Sequence, residues 1–180
     1  MAIQNSINQG LGTIAAVATM GKHISNQNKE NEAQIASSKE TLATNEEALK
    51  NDQYEAQQAI LAHSQEEGLS KEEIDKLKAD PSYAQELREG VMKERRKQGL
   101  ELASEKFNNA SEDKLAKDYK GKLMLDSQGN PMTEKDVANM QLNKAYESLR
   151  ELNDRIAVTR QFKFNIEKAK ANIQTRGGKI

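Results

Sequence analysis

Apolar residues recur every three or four positions along most of this chain, which is the spacing of an amphipathic α-helix. At the N-terminus the apolar positions are Ile3, Ile7, Leu11, Ile14, Val17 and Ile24. They predict a helix over residues 3–25. The pattern continues over residues 26–65 and predicts a second, long helix there.

The long helix over residues 26–65 has a narrow apolar seam. One heptad position is apolar, and its members are Ile35, Leu42, Leu49 and Ala56. The complementary position is weak, and its members are Ser38, Asn45, Asp52 and Ala59. A stable two-stranded coiled coil needs both positions apolar, so we expect this seam to be too weak to hold such a coil alone.

The middle of the chain predicts shorter elements. Ser70 and Glu73 have the spacing of a capping box, which predicts the start of a short helix. A further helix is expected from residue 81 to about residue 108, weakened by Gly90 and Gly99.

Residues 119–133 are the only segment that predicts β structure, as a small hairpin or turn. Thr133 is expected to cap a last long helix that continues to Gln174, and Gly177-Gly178 is expected to end it.

The predicted fold class is all-α: an elongated antiparallel helical hairpin or coiled coil, with a short-helix insertion and one small β-hairpin. The predicted organisation has three parts. They are an uncharged, Gly/Ala-rich helix over residues 1–25, a helical hairpin domain over residues 26–176 (long helices 26–65 and 133–174, insertion 68–132), and a basic tail over residues 177–180.

Composition narrows the class further. Hydrophobic residues make up 36% of the 180-residue chain and aromatic residues 4%, with no Trp and no Cys, while 31% of residues are charged. This is too little bulky apolar volume for one large round core, and it suits long helices with narrow seams. The absence of cysteine excludes disulfides and thiolate metal sites.

Charge is unevenly distributed, although the formal net charge is only −1. The last 26 residues contain one acid, Glu167, and seven bases: Arg155, Arg160, Lys163, Lys168, Lys170, Arg176 and Lys179. We expect these bases to contact phosphate of DNA or of lipid through non-specific interactions. The alternative is that they are solvated bases matched to the negative end of a helix dipole.

The first 21 residues carry no charged side chain. They contain no run of about 18–20 apolar residues, so interfacial membrane binding is expected rather than spanning as a lone helix. Close contact between subunits is the other interpretation of the small residues. The residues predicted to contact a membrane or another subunit are Ile3, Ile7, Gly10, Leu11, Ile14, Ala15, Val17 and Ala18.

No catalytic, cofactor-binding or metal-binding residues are predicted. His23 and His63 lie far apart in the sequence, and no nucleotide-binding, nucleophile-elbow or zinc-protease motif is present. An enzyme is therefore not expected.

The order of features resembles small helical virion proteins of tailed bacteriophages, especially the internal or ejection proteins of short-tailed phages. The residues that carry the resemblance are MAIQNSINQGLGTIAAVATMGKHI at the N-terminus, a long Gln/Glu/Lys/Ala helix, a broken middle, and a final helix with a basic Gly-Gly-Lys end. The resemblance implies a homo-oligomer in the virion that contacts portal, tail or internal proteins. It also implies a role in genome ejection, with residues 3–21 contacting the host envelope or lining a channel.

Two other classes fit the same sequence. One is a neck or tail adaptor, or a capsid scaffold subunit, with no membrane role. The other is a subunit of a bacterial secretion apparatus. Neighbouring genes for a portal and a terminase would favour the phage classes over secretion.

Overall fold

A computed structural model describes the backbone of residues 2–180 and the side chains of residues 20–180. Most of the chain is helical, which confirms the all-α prediction. The elements are α1 (Ala2–Ala62), α2 (Lys71–Ala79), α3 (Tyr83–Leu87), a π-helical turn (Arg88–Met92), α4 (Lys93–Asn109) and α5 (Glu134–Thr175). The helices predicted separately over residues 3–25 and 26–65 form one continuous helix, α1.

Two helix ends follow the local sequence as predicted. The Ser70 hydroxyl accepts a hydrogen bond from the Glu73 backbone N–H, and the Glu73 carboxylate accepts one from the Ser70 backbone N–H, so the capping box is confirmed. At the end of α5, Gly177 has a φ of +77°, and the backbone N–H of Gly178 donates to the carbonyl of Ile173. A side chain at position 178 would meet Ile35 and Ile173, so only glycine fits there.

The helix predicted from residue 81 to about residue 108 is interrupted. Gly90 has φ −101° and ψ −107°, which lie outside the helical region, and the π-helical turn surrounds it. A π turn inserts an extra residue into the helix, so it changes the direction in which the side chains on either side of the turn point. Arg88 and Met92, at the two ends of this turn, are both buried.

The chain divides into two compact units, and both long helices contribute residues to each. The first unit comprises residues 1–48 and 162–180, and the second comprises residues 49–161. The second unit contains one apolar cluster, built from α1, α2, α3, the π turn and α5. Its buried members are Ala56, Ile60, Leu77, Ala84, Leu87, Met92, Leu152 and Ile156.

In the first unit, α1 and α5 run antiparallel. The Asn31 side chain donates to the backbone carbonyl of Arg176, while Asn45 accepts a 3.2 Å bond from Asn165. The buried apolar residues between these contacts are Leu42, Ile166, Ala169 and Ile173. The seam therefore alternates apolar packing with amide hydrogen bonds.

Two residues at the weak heptad position of α1 make polar contacts with α5. Asn45 bonds to Asn165 in the first unit, and Asp52 accepts a 2.5 Å bond from the Thr159 hydroxyl in the second unit. Thr159 is only 1% exposed, and its hydroxyl also lies 3.3 Å from the backbone carbonyl of Arg155, so this buried hydroxyl has two possible acceptors.

The predicted small β-hairpin is wrong. Residues 115–133 form three isolated antiparallel bridges, and no strand occurs in the described backbone. Three hydrogen bonds close a ring, since Ala116 N–H donates to Met132, Met132 N–H to Met124, and Met124 N–H to Ala116. These residues lie eight apart, which marks a short internal repeat that the sequence reasoning missed.

Two similar turns explain why no β ladder forms there. The Asp118 carboxylate accepts from the N–H groups of Lys120 and Lys122, and the Asp126 carboxylate accepts from those of Gln128 and Asn130. Gly121 and Gly129 have positive φ values of 79° and 83°. Each turn reverses the chain after only a few extended residues, so paired strands have no length in which to form.

Substitution of Leu152 tests the apolar cluster. Leu152 is 3% exposed, so Leu152→Asp should lower the free energy of unfolding by at least about 3 kcal/mol. Val158 lies on the same helix but is 47% exposed, and Val158→Asp should change the free energy of unfolding by only about 0.5 kcal/mol. Urea unfolding measures both, and equal effects would contradict the position of the cluster. Leu49, which the sequence pattern also places in the seam, is half-buried. Leu49→Asp should therefore lower the free energy of unfolding by an amount between those for the other two variants.

Acid should loosen the second turn. The pKa of the Asp126 carboxyl lies below its ordinary value. The main cause is the hydrogen bond from the Asn130 backbone N–H, and the Gln128 N–H contributes less. Because the pKa of this carboxyl is lower in the folded than in the unfolded chain, it stabilises the fold above the unfolded-state pKa of about 3.9. This stabilisation is lost as the pH falls through the folded-state pKa. NMR of the Gln128 and Asn130 amides should therefore show the turn intact near neutral pH and opening in acid.

The Asp126→Ala variant should show an open turn at every pH, whereas Asp113→Ala should behave like the unsubstituted chain. Asp113 is a matched control because it is also exposed and only its backbone N–H takes part in the loop's hydrogen bonds. An acid response that persists in Asp126→Ala would contradict the role of this carboxylate.

Candidate functional site

The eight N-terminal contact residues predicted from the sequence lie outside the residues whose side chains the structure describes. They are Ile3, Ile7, Gly10, Leu11, Ile14, Ala15, Val17 and Ala18. Their role in membrane or subunit contact stays a prediction. Among the described residues, no helix has a stretch long and apolar enough to cross a membrane.

The seven predicted phosphate-contact bases do not belong to one unit. Arg155 and Arg160 fall in the second unit, and the other five, Lys163, Lys168, Lys170, Arg176 and Lys179, fall in the first. Their contact with phosphate also stays a prediction, although several already have intramolecular partners.

Three of these bases have such partners. Arg160 lies 2.5 Å from the Glu89 carboxylate, and Lys170 lies 3.6 Å from that of Glu167. Arg176 donates a 2.7 Å bond to the side chain of Gln34. By contrast, the side chains of Lys163, Lys168 and Lys179 are exposed to solvent.

A cleft of about 270 Å³ in the second unit gathers charged side chains from the turn after α1, the π turn, α4 and α5. Its lining includes three arginines, which come from three different elements. The lining residues are Ala59, Ile60, His63, Glu67, Arg88, Met92, Arg96, Ser148, Glu151, Leu152 and Arg155. We call this feature the arginine cleft.

Arg96 is fully engaged on one wall of the arginine cleft. Its guanidinium makes two hydrogen bonds to the Glu67 carboxylate, at 2.6 and 2.9 Å, and a third to the Ser148 hydroxyl at 3.1 Å. The pairing is bidentate, which is the strongest geometry for an arginine and a carboxylate. It joins the turn after α1 to α4 and α5.

Arg88 lies at the bottom of the arginine cleft and is only 5% exposed. Its guanidinium makes no hydrogen bond or ion pair with any residue that the structure describes. Burial lowers the pKa of Arg88, the charge of Asp52 opposes this, and the like charge of Arg155 adds to it. A buried cation with these neighbours is under-compensated.

The remaining charged groups of the cleft are nearer to solvent. Glu151 and Arg155 are exposed, and His63 faces Glu66 at 3.1 Å. Arg155 is the one predicted phosphate-contact base that lines the arginine cleft.

The sequence analysis missed Arg88 and Arg96 for a geometric reason. In a regular helix, residues eight apart point about 80° away from each other, because the repeat is about 3.6 residues per turn. The chain is kinked at Gly90 between the two arginines, and both of them line the arginine cleft. Gly90, which weakens the predicted helix, was the only signal of this break.

No protein-family model, curated protein or solved structure matches this chain. In the described part of the chain, no three His, Asp or Glu side chains are placed to hold a metal ion together. Three arginines line the arginine cleft, and a guanidinium binds carboxylate or phosphate oxygens.

Double-mutant cycles should separate the two arginine–glutamate pairs. The Arg96–Glu67 side chains are 22% and 15% exposed, so their coupling should be about 1.5–3 kcal/mol. The Arg160–Glu89 side chains are 66% and 35% exposed, and screening should limit that coupling to about 0–1 kcal/mol. Thermal and urea unfolding of the single and double Met and Gln variants measures both, and a stronger Arg160–Glu89 coupling would contradict this ranking.

Proposed function

We propose that the chain is a non-enzymatic structural protein of a phage virion. It forms homo-oligomers inside the capsid or at the portal or tail, and it takes part in genome ejection. The order of features in the sequence supports the phage class, and the distribution of apolar side chains supports assembly.

The single observation that carries the proposal is how much apolar surface the described side chains leave uncovered. Sixteen hydrophobic residues among residues 20–180 are buried, and six of them are alanines. Fourteen large hydrophobic residues remain exposed, among them Leu102, Met140, Tyr146 and Phe164. Exposed hydrophobic residues that lie together mark interfaces in soluble proteins, and we propose that other copies of the chain cover these side chains.

The proposal includes coiled-coil pairing of the two long helices. Antiparallel contacts inside each unit support it, since Asn45 meets Asn165 and Asp52 meets Thr159. Polar residues in such a seam fix the register of pairing at some expense of stability. A weak internal seam is consistent with a subunit that gains its stability on assembly.

In this proposal the N-terminal segment acts in genome ejection. It carries no charged side chain over 21 residues and is rich in Gly and Ala, so it can bind a membrane interface or line a lumen between subunits. DNA or lipid phosphate is the proposed partner of the exposed bases near the C-terminus. The proposed location is the virion, with the host envelope reached during infection.

A virion with charges placed in the N-terminal segment tests this function. In particles carrying Gly10→Asp with Ala16→Asp, assembly and adsorption should be normal but genome delivery should fail, because two carboxylates oppose insertion into lipid. Asn26→Asp with Asn28→Asp is the matched control, since it adds the same charge where all neighbouring side chains are already exposed. Particle yield, adsorption and DNA release are measured.

Failure of assembly in the Gly10→Asp, Ala16→Asp particles would favour the adaptor or scaffold alternative, because the segment would then be an interface between subunits. Normal assembly and normal infection would overturn both functions.

A further inference from the structure

The arginine cleft contains a cation without a partner. Arg88 is 95% buried as a residue, and no carboxylate among the described residues lies within ion-pair distance of its guanidinium. An uncompensated buried charge is strongly unfavourable, so native structures almost always supply a counter-charge or water to such a group. We propose that the arginine cleft is a binding site for a small phosphate-class oxyanion, held by Arg88 and Arg155.

The size of the cleft limits the ligand. A volume of about 270 Å³ is below the range of about 300–1,000 Å³ that is typical of pockets for drug-sized molecules. It is ample for one tetrahedral oxyanion with a few waters, because one water takes up about 30 Å³ of liquid. A nucleotide or a peptide would not be enclosed.

The donors have the right chemistry for an oxyanion. A guanidinium presents a planar fork of N–H groups that binds two oxygens of a phosphate at once. Arg88 offers this fork at the bottom of the cleft, and Arg155 offers a second one nearer to solvent. The Ser148 hydroxyl, which accepts a bond from Arg96, still has its own hydrogen to donate.

The carboxylates near the site do not fill it. Both oxygens of Glu67 bind Arg96, and one oxygen of Asp52 binds the Thr159 hydroxyl. Of the acids that line the cleft, Glu151 is the one that forms no ion pair with another described residue. We therefore expect Glu151 to repel a bound anion and to lower its affinity.

Titration calorimetry of the full chain tests this site. The probes are inorganic phosphate and dimethyl phosphate, each compared with chloride at the same ionic strength. We expect saturable binding of one phosphate per chain. Tighter binding of inorganic phosphate would indicate a free ion as the natural ligand. Tighter binding of dimethyl phosphate would indicate a phosphodiester of nucleic acid or lipid.

Four variants assign the binding to these residues. Arg88→Met should weaken binding at least about tenfold, and Arg88→Lys should weaken it less, because lysine keeps the charge but not the fork. Glu151→Gln should strengthen binding severalfold. Arg150→Gln is the matched control, because Arg150 is exposed on the same helix and does not line the cleft, and it should bind like the unsubstituted chain.

Thermal unfolding distinguishes a binding defect from a folding defect. Without phosphate, Arg88→Met should unfold at the same or a higher temperature, since an uncompensated buried charge has been removed. With phosphate, the unsubstituted chain should gain stability and Arg88→Met should not. No saturable binding of either probe, or equal binding by Arg88→Met, would overturn the proposal.

Discussion

The scarcity of bulky apolar side chains is the constraint on which the rest of this structure depends. With 36% hydrophobic residues, 4% aromatic residues and no Trp, the chain cannot fill a large interior. Its main apolar cluster is confined to the second unit, where Leu77 is fully buried between α1 and the shorter helices. In the first unit, buried apolar residues such as Leu42 and Ile173 lie between the two long helices, together with polar contacts.

Polar contacts add to the packing of the two long helices where few apolar residues lie between them. The Asn45–Asn165 amide pair and the Asn31 bond to the backbone of Arg176 join α1 to α5 in the first unit, and the Asp52–Thr159 bond does so in the second. The bidentate Arg96–Glu67 pair joins α4 to the turn after α1. Such contacts are directional, so they fix register more effectively than they add stability. Arg88 is buried beside the arginine cleft and forms no ion pair with any described residue.

Local signals predicted more of this fold than long-range ones did. The Ser70 capping box, the Gly177-Gly178 end of α5 and the long helices each depend on residues within one or two turns, and all are present. The eight-residue repeat through Ala116, Met124 and Met132 is also local, since Asp118 and Gly121 recur as Asp126 and Gly129, but the sequence interpretation treated this segment as a hairpin. The break at Gly90 had only a glycine as its signal. Because the arginine cleft is built on the π turn, its buried residue Arg88 could not be predicted, whereas Arg155 was singled out from charge alone.

We propose that other copies of the chain cover the exposed apolar side chains that its small core leaves open to solvent. Sedimentation velocity of the full chain over a range of concentrations tests this most directly. We expect a reversible or stable homo-oligomer whose population rises with concentration. A single monomeric species at all concentrations, with the exposed side chains of Leu102, Met140 and Phe164 still accessible to solvent, would contradict it.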